Sequence, residues 1–188
     1  VGIFSDNVRR YFESGIITVP CKDKRPILGN GWEKFCNETP TEEIIDKWEL
    51  EFKDVNQLGL PFGKAQLLSG FDFDYEYSDK RCTISESEFQ RDRKSVEKQI
   101  LSILPPTPCI KVGRKGWTRI YRSHGDLQNT QCDRNGVRLF DFLARNKQTI
   151  IPPSRYSDDG DMVYRWLGNP IEECLDDIPI ITQENIEE

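Results

Sequence analysis

Histidine is almost missing from this chain: His124 is the only one in 188 residues. The six cysteines, at 21, 36, 82, 109, 132 and 174, form no CxxC pair. A structural zinc finger needs clustered cysteine and histidine ligands, so that class is set aside. Six scattered, reduced thiols suit a cytoplasmic protein. No apolar run approaches the ~18 residues that read as a membrane span, and no secretory leader is visible, so no membrane partner is expected. No glycine-rich loop opens a helix, and the GxxxxGK[ST] order of a P-loop is absent. The chain opens on valine, and we expect one domain of a longer protein.

What is present is a chain long enough for one core, with 36% apolar residues, four Trp and ten Phe. The net charge of −6 is unevenly spread. Residues 171–188 hold seven acids and no base, and read as an acidic tail or linker after a domain at 1–170. Residues 111–147 hold nine bases against three acids. That band suits either a solvated face or a nucleic-acid contact.

Helices are expected at 5–14, capped by Ser5; after "NETPTEE", with Thr39 as cap and Pro40 opening the helix; and at 85–104. The last carries a Ser85/Glu88 capping box and an apolar stripe of Phe89, Val96, Ile100 and Ile103. Strands are expected at 15–20, roughly 65–75, 109–113, 117–122, 137–142, 148–151 and 162–166, with turns at "GRKG", "SHGD", "DRNG" and "DDG". The order predicts an α+β domain with a mixed or antiparallel sheet.

"LLSGFDFDYEY", residues 67–77, is the stretch that most needs explaining. Alternation puts Asp72 and Asp74 on one face of a strand and Phe71, Phe73 and Tyr75 on the other. Neighbouring carboxylates repel unless something positive lies between them, and a hard divalent cation is one answer. Glu76 continues the acidic face. Asp141, in "VRLFDFL", is a third acid in an apolar strand; Val137 and Leu139 share its face by alternation, with Arg138, Phe140 and Phe142 opposite. Each acid alone also fits a solvent-facing edge strand. "KVGRKGWTRIYR" is the basic counterpart: Gly113 and Gly116 flank Arg114 and Lys115, and Thr118 and Arg122 then share a face apart from Arg119. Such a turn can hold a triphosphate or a nucleic-acid backbone, or be a simple charged hairpin. Lys147 and Ser154 stand near the rim of "NKQTIIPPS". His124 is left outside the site.

Together these stretches resemble the primase–polymerase domain of the archaeo-eukaryotic primase superfamily, in the bifunctional form found at the front of plasmid and phage replication proteins. The resemblance runs over roughly residues 15–166: Pro20, Lys24, Pro26 and Trp32; "TPTEEIIDKW"; Gly59, Gly63 and "GFDFD"; "GRKGWTRIYR"; Asp141; and Pro152-Pro153-Ser154 before Tyr164 and Trp166. It implies an RRM-like catalytic sheet with flanking helices and a smaller α/β part. It also implies template-directed nucleotide addition with two Mg²⁺ or Mn²⁺ ions on Asp72, Asp74 and Asp141. Its partners would be single-stranded or primer–template DNA, a dNTP or NTP, and an attached or associated helicase, in the cytoplasm of a bacterial, archaeal or phage-infected cell. Arg114, Lys115, Arg119 and Arg122 would neutralise the triphosphate, and Lys147 and Ser154 would line the same cleft. In one departure, Thr118 stands where the family carries a histidine near the phosphates. Lys115, Arg119 or Arg122 would then supply the missing charge. A DNA-binding module without synthesis and a metal-dependent nuclease are the rival readings.

Overall fold

The structure is a computed structural model that describes residues 2–125, 127–158 and 161–187. The turns expected at "SHGD" and "DDG" lie partly outside the described residues. Two antiparallel sheets and three main helices build the chain, in agreement with the α+β expectation.

Helix α1, Ile3–Glu13, begins two residues before Ser5, whose hydroxyl donates to the Gly2 carbonyl inside the first turn. Strands β1, Val19–Lys22, and β2, Arg25–Pro26, form a hairpin whose two turn residues, Asp23 and Lys24, both have positive φ (50° and 63°). Lysine adopts that conformation uncommonly. Here it is pinned from both sides: Lys24 N–H donates to Gln57 Oε1 (2.9 Å), and Gln148 Nε2 donates to Lys24 O (2.7 Å).

Helix α2, Glu42–Glu51, is capped by Thr41 rather than Thr39. Thr41 lies three residues before Ile44, whose N–H its hydroxyl accepts at 3.4 Å, and Pro40 falls before the cap instead of inside the helix. Arg9 ties α1 to α2 by donating to Glu42, Asp46 and Glu49. Strands β3, Gln57–Phe62, and β4, Leu68–Phe73, follow; then α3, Glu86–Ile103, with the Ser85/Glu88 capping box in place. Next come β5, Ile110–Val112, β6, Trp117–Arg122, β7, Thr130–Arg134, β8, Val137–Leu143, β9, Lys147–Ile151, and β10, Arg165–Trp166.

The first sheet has the order β2-β1-β3-β9 and the second β10-β5-β6-β4-β8-β7. Leu58, Leu60 and Phe62 of β3 and Ile150 and Ile151 of β9 share one core with Leu68 of β4 and Ile120 of β6. Gly70 admits this contact, since a Cβ there would stand 2.7 Å from the Phe62 ring. The other face of the second sheet carries Phe71, Phe73 and Phe142. Phe73 packs with Tyr75, Phe89, Val96, Val137 and Leu139 under α3.

Residues 171–187, expected as part of an acidic tail or linker, pack onto the domain. Ile171, in the short helix α4 (Ile171–Cys174), and Cys174 and Ile178 join the first core. Ile181 and Ile186, the latter in α5 (Glu184–Glu187), pack with Phe71, Tyr121 and Phe142. Backbone bonds between Arg122 and residues 179 and 181 carry this segment along the end of β6. The apolar residues among its acids secure it. Among the described residues no helix is long and apolar enough to cross a membrane, and the six cysteines are free.

Asp92 locks α3 to the rest. Its carboxylate accepts from Tyr75 Oη (2.8 Å), from Arg134 Nε and Nη2 (2.7 Å each) and from Asn135 Nδ2 (3.0 Å). Arg134 foremost, helped by Tyr75 and Asn135, holds this carboxyl below its usual range against the effect of burial. Asp92→Ala is expected to cost about 2 kcal/mol, discounted for the half-exposed Arg134, and to lower Tm by roughly 4–8 °C. The contribution is complete above the unfolded carboxylate pKa of about 3.9 and is lost as pH falls through the lower folded value. The gap in Tm between the two proteins should therefore close in acid, which a pH series of thermal melts reads directly.

Candidate active-site cleft

The face of β4 that bears Asp72 changes character along its length. Leu68 is buried against the first sheet, Gly70 touches Phe62, and Asp72 is 28% exposed in its side chain. The apolar start of the strand belongs to the joint core and the acidic end to a cleft of about 180 Å³ lined from both sheets. That division explains how one strand is buried for most of its length and charged twice.

Strand register assembles a polar row across the cleft floor. Lys111 on β5 lies opposite Thr118 on β6, Thr118 opposite Asp72, Asp72 opposite Asp141 on β8, and Asp141 opposite Gln131 on β7. Directly opposed residues share a face, with Cβ atoms about 4.5–5.5 Å apart. Asp72 and Asp141, distant in sequence, are thus cross-strand neighbours. Asp74 lies just beyond β4 and lines the cleft with Asp72. Burial, and after it the charge of Asp72, pushes the Asp74 carboxyl above its usual range.

The partners of Asp72 and Asp141 come from the chain. Thr118, fully buried, donates its hydroxyl to Asp72 Oδ1, and Lys111 Nζ stands 3.7 Å from the same oxygen. Burial lowers the pKa of Lys111, and Asp72 opposes that shift. Arg138 donates to Asp141 Oδ1, to Asp133 and to Gln131. Strict alternation would have put Arg138 on the opposite face. A register shift between β7 and β8 at Cys132/Asp133 rotates it onto the Asp141 face and turns Val137 and Leu139 under α3.

The turn between β5 and β6 forms one lip. Gly113 N–H donates to Gly116 O (3.0 Å), and Arg93 on α3 donates to the carbonyls of Tyr75 and Lys115, the latter at 2.9 Å. Arg114 pairs with Asp158 (3.1 Å) and Lys115 with Glu76 (2.7 Å). Tyr156 and Tyr164 stack with centroids 4.3 Å apart and planes at 17°, and the Tyr156 hydroxyl accepts from Arg114 N–H. Lys24, from the pinned hairpin, faces the Tyr156 ring at 6.0 Å.

Among the expected site residues, Asp72, Asp74, Arg114 and Lys115 line this cleft, with Thr118 beneath it and Asp141 one strand along. The others lie elsewhere. Arg119 stands over the Trp117 ring on the opposite face of β6. Arg122 pairs with Asp176 (3.0 Å). Lys147 is exposed at the start of β9. Ser154 is fully buried, where its hydroxyl accepts from Leu58 N–H at 2.8 Å. His124 lines a separate hollow with Arg122 and Ile180. Lys111 and Tyr156, not among the expected residues, line the cleft too. Lys111 carried a signal: in "CIKVG" it is a lone base between two β-branched residues, and so points away from their face.

The carboxylate oxygens could hold a hard divalent cation: Asp72 and Asp141 occupy opposed positions, and the Asp74 carboxyl is raised by burial and then by Asp72. Among the described residues, no three acidic, histidine or cysteine side chains stand close enough to form a ready-made metal group. The fold is an α+β domain whose cleft gathers carboxylates and bases from both sheets. The model of the family described as bifunctional DNA primase/polymerase, N-terminal, matches residues 8–180, and the chain belongs to that family. A search of curated proteins finds no match.

Proposed function

We propose that this domain is a template-directed nucleotidyltransferase that adds nucleotides to a 3′-hydroxyl. The observation that carries the reading is the cross-strand pairing of Asp72 with Asp141, beside Asp74 and a basic turn. Asp72, Asp74 and Asp141 would hold two Mg²⁺ or Mn²⁺ ions, which supply charge neutralisation at the triphosphate and lower the pKa of the attacking hydroxyl. The chain's own residues do the positioning on which phosphoryl transfer depends. Arg114 and Lys115 turn from Asp158 and Glu76 to phosphate oxygens at the lip. Thr118 orients the Asp72 carboxylate through its hydroxyl. Arg93 fixes the turn by holding its carbonyl, and Tyr156 holds the Arg114 backbone from the far wall. Lys24 offers charge to a DNA backbone.

Thr118, fully buried with its hydroxyl given to Asp72 where the family carries a histidine, favours a second reading, a DNA-binding module without synthesis. One assay separates the two. The full chain is incubated with labelled primer–template, dNTPs and Mg²⁺ or Mn²⁺, with NTPs and a primer-free single strand in parallel. Extension that stops on chelation is the expected result. DNA binding with no extension under any nucleotide or metal would leave the module, and shortening of the primer would point to a nuclease.

A further inference from the structure

Lys111 is the most deeply buried base of the cleft. It is 7% exposed, and it lines the cleft beside Asp72. A buried ammonium carries a large desolvation cost that an ion pair must offset. Its pair with Asp72 is 3.7 Å long, beyond hydrogen-bond length, and Asp72 Oδ1 already receives the Thr118 hydroxyl. On its other side Lys111 meets the Tyr164 ring at 5.5 Å. An apolar residue of similar volume would remove the cost of burying the ammonium, while Asp72, 28% exposed, keeps water and the Thr118 hydroxyl, so fold stability does not account for the charge.

Position does account for it. Strand β5 fixes Lys111 at the cleft floor, across from Thr118. The bases at the lip, Arg114 and Lys115, have side chains 43% and 38% exposed and are screened by water. Arg119 and Arg122 face elsewhere. A fixed cation in a desolvated floor attracts an anion more strongly than a flexible one at the rim.

We infer that Lys111 is a phosphate-binding residue of the cleft, shared between Asp72 and a phosphate oxygen of an incoming nucleoside triphosphate. This rests on the nucleotidyltransferase reading, and the test keeps the two apart. The full chain is titrated calorimetrically with dATP, with inorganic tripolyphosphate and with deoxyadenosine. Lys111→Met is expected to weaken dATP and tripolyphosphate by on the order of tenfold to a hundredfold and to leave deoxyadenosine unchanged. Its Tm should equal or exceed that of the unmodified protein. Unchanged affinity for both anions overturns the inference, as does weaker binding accompanied by a Tm lower by several degrees, the mark of a structural lysine. Should Lys111→Met fail to fold, Lys111→Gln, which keeps a donor toward Asp72, carries the same expectation. An unmodified protein that binds neither anion would instead overturn the nucleotide site itself, and with it the role of Lys111.

Discussion

Asp72→Asn abolishes primer extension, with an expected loss on the order of 10³-fold or more. The substitution is isosteric. Asparagine still accepts from Thr118 at the centre of the row, so strand register and fold persist. What disappears is the negative charge, on the proposal the seat of a divalent cation. Its removal also leaves Lys111 buried without its counter-charge. That costs about 1–3 kcal/mol, below the value for a fully buried pair because the Asp72 side chain is 28% exposed. Tm therefore falls as well. The double variant Asp72→Asn/Lys111→Met separates the two effects. Its Tm returns toward that of the unmodified protein while extension stays absent, because stability couples through the pair and chemistry through the carboxylate. Metal-dependent dNTP incorporation at near-normal rate by Asp72→Asn would remove Asp72 from the mechanism. A Tm for the double variant equal to that of Asp72→Asn alone would show that the pair does not couple.

The sequence was most legible where a local rule coincided with a tertiary one. Leu68–Phe73 alternates because one face meets α3 and the other meets first a sheet and then a cleft. Helix α3 starts where its capping box says it should, since Ser85 and Glu88 satisfy each other's orphan groups without outside help. The α2 start lies two residues beyond the expected one because "TPT" offers two candidate caps, and only the backbone decides between them. Strand β7 was invisible for a different reason. It is an edge strand, held by its ladder to β8, and its sequence, "TQCDR", has no apolar alternation to read. The β7–β8 register shift was equally hidden, and with it the contact of Arg138 with Asp141. A bulge is chosen by pairing, and pairing is not written in either strand alone. The acidic segment after residue 170 reads as a tail by its charge, yet four isoleucines, Ile171, Ile178, Ile181 and Ile186, decide where it goes. In the site, the acids announced themselves as charges in apolar strands. Arg119, Arg122, Lys147 and Ser154 were grouped with them by nearness in sequence, and strand twofold alternation and turn geometry send those four elsewhere.

Gly116→Ala is expected to be the most damaging single-methyl change near the cleft. A Cβ at this position would stand 1.8 Å from the carbonyl oxygen of Phe73 and 2.9 Å from its carbonyl carbon. The obstacle is backbone in a central strand, so no side chain can rotate away to make room. Either β4 or the turn must shift, and the turn is the weaker of the two. Shifting it breaks the Gly113–Gly116 backbone bond and strains the hold of Arg93 on Lys115. Overpacking of this kind costs about 3 kcal/mol, which lowers Tm by roughly 6–12 °C. The functional effect is the sharper test. Arg114 and Lys115 ride on this turn, and Lys111 lies just before it. The altered protein, studied well below its own Tm, is therefore expected to lose at least about tenfold in dATP affinity, while the distant Asp92 lock and its acid sensitivity are untouched. If Gly116→Ala binds dATP and melts as the unmodified protein does, the close approach of Phe73 and Gly116 is not a feature of the folded chain, and the turn does not position the lip of the cleft.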